Sequence, residues 1–95
     1  MQHRLYGLRG RAYVQKYQEI FNSERDEILK AFNEIIANND GKFTPLCLGK
    51  LANQFCLPVS VMDKYLSSLK LIPVGTWERL RDRGCKAKDI GVEWN

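Results

Sequence analysis

Cysteine and histidine are the residues of this chain best suited to metal binding or nucleophilic chemistry. The chain has three cysteines, Cys47, Cys56 and Cys85, and one histidine, His3. A structural zinc site takes about four nitrogen or sulfur ligands that lie close together, and these cysteines form no CxxC pair. We therefore predict no metal and no cofactor, and interpret the cysteines as reduced thiols.

The sequence also lacks the common arrangements of catalytic residues. It has no glycine-rich phosphate loop, no serine, histidine and aspartate set, and no pair of carboxylates in an apolar frame. The acidic residues concentrate in 21–40, where Glu24, Asp26 and Glu27 fit the first turn of a helix. We predict that the protein is not an enzyme.

The charge of the chain favours an anionic partner. The 95 residues carry a net charge of +4, with basic residues in excess in 1–20 and 61–95. An excess of this sign favours nucleic acid. The chain has no apolar run of about 18 residues, which excludes a membrane span, and its N-terminal segment lacks the apolar run of a signal peptide. We expect a cytoplasmic protein with no membrane partner.

Start and stop signals predict a series of short helices. The first covers residues 12–21, and Ser23 is expected to cap a second helix that ends at Gly41. Thr44 and Pro45 begin a third helix, which runs to about Phe55. Further helices are expected at 59–69, at 77–83 with Thr76 as the cap, and near 87–94.

The segment LANQFCLPVSVMDKYLSSL, residues 51–69, resembles the helix-turn-helix of bacterial DNA-binding proteins. Its apolar positions fit that pattern at every step: Ala52, Phe55, Leu57, Met62, Leu66 and Leu69. At the turn, the chain has Cys56 where the family usually has glycine and Pro58 where it usually has a serine-like cap. Cysteine should adopt the turn conformation at a cost of about 1 kcal/mol.

The resemblance extends to residues 24–94. The run RDEILKAFNEIIANNDGKFTPLCLGKLA is similar to the lead-in of winged-helix domains, and LGKLANQFCLPVSVMDKYLSSLKLIP is similar to the DNA-binding segment of the MerR regulators. LRDRGCKAKDIGVEW is similar to the tail of the same MerR domain. The segment between Ile72 and Thr76 is too short for a β-hairpin wing.

These observations predict an all-α fold, a helix-turn-helix bundle of four to five short helices whose wing is absent or vestigial. The chain is expected to form a single domain, 1–95. Its parts are a basic N-terminal arm and helix, 1–22, the helix-turn-helix core, 23–72, and a C-terminal helical extension, 73–95.

The resemblance implies a sequence-specific transcriptional regulator of double-stranded DNA, with the 59–69 helix in the major groove. The helix surface predicted to face solvent and read DNA is Val59, Ser60, Asp63, Lys64 and Ser67. This surface is poor in basic residues, so flanking residues must neutralise the phosphates. The candidates are Lys50, Lys70, Arg79, Arg81, Arg83, Arg9 and Arg11.

Two alternatives concern the partner. A homodimer is expected if the protein binds DNA, because one module of this size buries little surface. The arginine-poor helix surface also fits a helix-turn-helix that docks a protein partner, as an accessory or inhibitory factor of a nucleoprotein complex.

Overall fold

Four α-helices and one 3₁₀ turn make up the fold. The computed structural model describes residues 2–94. The elements are α1 (Gly10–Ala37), α2 (Pro45–Phe55), α3 (Val59–Ser68), α4 (Thr76–Asp82) and the 3₁₀ turn Ala87–Ile90. Residues 2–94 contain no β-strand, which confirms the predicted all-α class.

Helix α1 joins two segments that the sequence signals separated. Ser23 does not cap a new helix, because its hydroxyl donates to the carbonyl of Ile20 (3.3 Å) one turn back. Only Glu24 leaves helical geometry, with φ −113° and ψ 15°, and this residue marks a kink. The predicted break between two helices is confirmed by the kink at Glu24, one residue after Ser23, and the prediction that Ser23 caps the second helix was wrong. The predicted stop is confirmed: Gly41 has φ +75°, and its N–H donates to the carbonyl of Ile36.

The turn between α2 and α3 has the geometry that the sequence predicts. Cys56 adopts the left-handed conformation (φ 54°, ψ 48°), and Pro58 precedes the first residue of α3. Leu57 is fully buried, and its N–H donates to the carbonyl of Ala52 (3.0 Å). The turn therefore anchors both helices to the core through Leu57.

The apolar framework of the α2–α3 pair is also buried as predicted. Ala52, Phe55, Met62 and Leu66 have 8% exposure or less, whereas Leu69, which follows the end of α3, is half-buried.

The C-terminal segment packs on α2 through its backbone. Gly49 of α2 lies so close to this segment that a Cβ at position 49 would overlap the carbonyl oxygen of Ile90. One turn further along α2, the Asn53 amide donates to the carbonyl of Gly91 (2.6 Å) and accepts the N–H of Glu93 (3.3 Å). A glycine and an asparagine of α2 thus fix the path of the chain after the 3₁₀ turn.

The N-terminal segment also docks on α2, at the C-terminal end of the helix. Leu5 is 1% exposed, and the N–H of Arg4 donates to the carbonyl of Cys56 (2.9 Å). The Arg4 guanidinium binds the Glu24 carboxylate and the carbonyl of Phe55. The hydrogen bonding between the Arg4 and Glu24 side chains raises the pKa of Arg4 and lowers the pKa of Glu24. Arg4 therefore connects the kink of α1 to the end of α2.

Candidate nucleic-acid interface

A narrow ridge of α3 faces solvent. Half of the ten residues of α3 are buried: Val59, Val61, Met62, Asp63 and Leu66. Ser60 and Lys64 are exposed one turn apart, and Ser67 is half-exposed at the next turn. We call these three residues the α3 ridge.

Two of the residues predicted to face solvent on α3 do not. Val59 is 4% exposed and lies against the C-terminal segment, in a small cavity that Trp77, Val92 and Trp94 also line. Asp63 is 7% exposed. The prediction that these two side chains read DNA from an exposed position was wrong, because α4 and the C-terminal segment cover the flanks of α3.

Asp63 instead holds α4 against α3. Its Oδ1 accepts the backbone N–H of Trp77 (3.2 Å), one of the free N–H groups in the first turn of α4. Burial raises the pKa of Asp63, and the Trp77 hydrogen bond opposes this effect. The prediction that Thr76 caps α4 was wrong, because Thr76 belongs to the helix and its hydroxyl donates to the carbonyl of Pro73 (2.7 Å). The carboxylate of Asp63 is thus an N-terminal cap supplied by another helix.

Replacing Asp63 should show this role in stability. Asp63→Ala leaves the Trp77 N–H without its partner, and we expect a loss of about 1–3 kcal/mol in the free energy of unfolding. Asp63→Asn keeps an acceptor oxygen and removes the buried charge, so its loss should be smaller. Urea denaturation of both variants measures the difference, and equal stability of Asp63→Ala and the wild type would contradict the capping role.

The pH dependence gives the Asp63 variants a second readout. Since the folded-state pKa of Asp63 is raised, its protonation favours the folded state. The stability of the wild type relative to Asp63→Asn should therefore rise as the pH falls through the raised pKa towards the ordinary value for aspartate.

A groove between α3 and α4 brings part of the predicted site together. It has a volume of about 240 Å³, and the α3 ridge forms one side. The rest is lined by Asp63 of α3, by Val74 and Gly75 of the loop before α4, and by Trp77, Glu78 and Arg81 of α4. Of the predicted phosphate contacts, Arg81 is the one that joins the α3 ridge along this groove.

The other predicted basic residues lie outside this groove. Arg79 is held back by its own loop, since its guanidinium donates to the carbonyl of Val74 (2.8 Å) and to the Thr76 hydroxyl. Arg11 belongs to the first turn of α1 and not to an irregular arm. The remaining candidates are exposed at separate points of the surface: Lys50, Lys70, Arg83 and Arg9.

A second groove lies on the opposite side of Lys64, between α1 and α3. Its volume is about 370 Å³, and it is lined by Tyr17, Gln18, Phe21, Asn22, Lys64, Tyr65 and Ser68. Tyr13, Tyr17 and Phe21 form an aromatic stripe along α1, and local sequence spacing gives no reason to join Tyr65 to it. That contact depends on how α3 crosses α1, which local spacing does not encode.

The cysteines and acidic residues form no metal-binding group in the part of the chain that is described. Cys47 is buried, Cys56 and Cys85 are half-buried, and all three thiols are free. No cluster of three or more histidine, cysteine, aspartate or glutamate residues occurs within residues 2–94. Over the same residues, none of the helices combines the length and apolar character that crossing a bilayer requires.

Comparison of the chain with protein-family models, with curated proteins and with solved structures finds no match. The proposals that follow therefore depend on the contacts, burial and charges of the chain itself.

Proposed function

We propose that the protein binds double-stranded DNA through a helix-turn-helix formed by α2 and α3, and acts in the cytoplasm as a transcriptional regulator. The observation that carries this proposal is the combination of the left-handed Cys56 turn with the exposed ridge of α3. In a helix-turn-helix, the second helix lies in the major groove and the first crosses the DNA backbone. In this proposal, α3 lies in the major groove and α2 crosses the DNA backbone.

The side chains of the α3 ridge suit the edges of base pairs. Ser60 and Ser67 carry hydroxyls that both donate and accept hydrogen bonds, and Lys64 donates to guanine or to phosphate. Asp63 is 7% exposed and its Oδ1 accepts the Trp77 N–H, so little of this carboxylate reaches the phosphates even though it lines the groove. Arg81, across the groove, supplies a cation for the DNA backbone.

Two copies are part of this proposal. A single small module buries about 600–1,000 Å² on DNA, less than most specific complexes. A dimer would place two α3 helices on half-sites about one helical turn apart.

The proposal predicts salt-dependent binding of duplex DNA. Fluorescence anisotropy with a labelled duplex at about 50 mM salt should detect binding, and the affinity should fall steeply towards about 200 mM. Arg81→Ala should weaken binding for every sequence and reduce the salt slope by about one. Lys64→Ala should weaken binding as well. Lys30→Ala, an exposed lysine of α1 outside the α3–α4 groove, is the matched control and should not change the affinity.

The absence of binding at low salt would contradict the proposal. Equal losses for Arg81→Ala, Lys64→Ala and the Lys30→Ala control would show that binding depends on total charge and not on the α3 ridge.

A protein partner is the second candidate, and one observation favours it. The side chain of Val74 is 78% exposed at the rim of the α3–α4 groove, a position with no use in binding phosphates. A protein that docks in this groove would bury it. Val74→Ser should then weaken the protein complex while duplex binding stays unchanged.

A further inference from the structure

The groove between α1 and α3 is a chemically distinct site from the groove beside α4. It lies on the other side of Lys64 and has an aromatic wall of Tyr17, Phe21 and Tyr65, whereas Trp77 is the one aromatic side chain among the described residues that line the α3–α4 groove. The duplex-binding proposal above uses Lys64 but none of the aromatic residues of this groove.

The aromatic wall is a continuous series of ring contacts between the two helices. Phe21 of α1 stacks on Tyr65 of α3 with ring centres 3.9 Å apart and an interplanar angle of 5°. Tyr17 contacts Phe21 at 5.7 Å, and Tyr13 contacts Tyr17 at 5.8 Å. Phe21 is buried, whereas Tyr17 and Tyr65 are half-exposed. The two tyrosines therefore present ring surface to the groove, supported by a buried ring behind them.

The polar groups of the groove surround this wall. Gln18 and Asn22 carry amides, which donate and accept at once, and Ser68 carries a hydroxyl. Of the described residues that line the groove, Lys64 alone is charged. Burial raises the pKa of Tyr65. The groove thus offers planar apolar surface, amide donors and acceptors, and one cation.

We propose that the α1–α3 groove binds a nucleotide unit, with the base against the tyrosine rings and the phosphate near Lys64. Stacking on aromatic side chains is the common way in which proteins hold an unpaired base. Amide side chains such as those of Gln18 and Asn22 recognise the hydrogen-bonding edge of a base. The volume of about 370 Å³ falls within the range of about 300–1,000 Å³ for small-ligand sites.

Nucleotide binding in this groove does not depend on duplex binding, but the two share Lys64. A nucleotide phosphate on this lysine would compete with DNA for the same charge, and so a bound nucleotide should weaken duplex binding. The source of the nucleotide unit is either a free mononucleotide or an unpaired residue of a nucleic-acid strand, because both carry the same base and phosphate.

Titration of the full chain with small probes tests the site. The probes are adenosine monophosphate, adenosine, ribose 5-phosphate and a short single-stranded oligonucleotide, followed by ¹H–¹⁵N NMR. Saturable shifts of Tyr17, Gln18, Tyr65 and Ser68 are expected with adenosine monophosphate. Adenosine should bind more weakly than adenosine monophosphate because it lacks the charged phosphate. Ribose 5-phosphate should also bind more weakly, because it lacks the base.

Variants locate the binding. Tyr17→Ala should weaken adenosine monophosphate binding by about fivefold or more, the effect of losing one stacking contact. Gln18→Ala changes an exposed residue that does not support the core, and it should also weaken binding. Gln15→Ala, exposed on the same helix and outside the groove, is the matched control.

The outcomes separate the two proposals. If neither adenosine monophosphate nor the oligonucleotide gives saturable NMR shifts at the groove residues up to millimolar concentration, the proposal of a nucleotide site is wrong. This result is independent of duplex DNA binding. Binding that Tyr17→Ala and Gln18→Ala leave unchanged would also overturn it. Arg81→Ala should lower duplex affinity only, and Tyr17→Ala should lower nucleotide affinity only. Stronger binding of the oligonucleotide than of the mononucleotide would identify a strand as the source.

Discussion

Replacing Gly49 by alanine should release the C-terminal segment from α2. The added Cβ would overlap the backbone oxygen of Ile90, and a backbone atom in a 3₁₀ turn cannot rotate away as a side chain does. Overpacking of this kind costs about 1–3 kcal/mol and sometimes more. We therefore expect a large loss of stability from the smallest possible side-chain addition.

Urea denaturation and tryptophan fluorescence measure the Gly49→Ala effect. Trp94 is 6% exposed in the C-terminal segment, so its emission should shift to the red when that segment detaches. Gln54→Ala, at an exposed position of the same helix, is the control and should be close to wild type. A Gly49→Ala protein with wild-type stability and emission would show that the segment can dock at a greater distance.

The largest expected effect is that of Leu57→Ala. Leu57 is fully buried in the turn between α2 and α3, and shortening a buried leucine to alanine costs about 2–5 kcal/mol. A small domain has about 5–15 kcal/mol of total stability, so this variant should lose a large part of it and unfold at a lower temperature than the wild type. Because the turn sets the angle between the two helices, duplex binding should fall with it.

The matched control makes the same chemical change on the surface. Leu46 in α2 is 56% exposed, and Leu46→Ala should change the denaturation midpoint only slightly. Similar losses for Leu46→Ala and Leu57→Ala would contradict the anchoring role of the turn.

The α2–α3 pair could be predicted because its information is local. Apolar spacing placed Phe55, Met62 and Leu66 in the core, and the position of Cys56 in the pattern predicted its left-handed conformation. A helix face and a turn conformation depend on residues within a few positions of each other. Such features are readable before any long-range contact is known.

The middle of α1 was harder to predict, since the local signals around Ser23 conflicted. Ser23 and the carboxylates after it are typical of a helix N-terminus, but a serine within a helix can also bond back to the previous turn. Ser23 keeps helical geometry, and the backbone leaves it at Glu24, where the two parts of α1 meet at a kink.

The errors in the candidate site arose from long-range packing. Asp63 occupies a position on α3 that a helix projection leaves exposed, and only the arrival of α4 buries it. Val59 is covered in the same way by residues near the C-terminus. Tyr65 joins the aromatic stripe of α1 because the helices cross there. None of these contacts has a signature in local sequence.

The docking of the segments around Arg4 and Glu93 on α2 constrains the order in which these contacts can form during synthesis. Arg4 emerges early, but its acceptor at Phe55 follows 51 residues later. Glu93, whose N–H donates to the Asn53 side chain, follows Asn53 by a further 40 residues. Leu5, next to Arg4, therefore stays exposed in the nascent chain until the end of α2 has been synthesised. The contacts of Asn53 with Gly91 and Glu93 form only after residues 91–93 have left the ribosome.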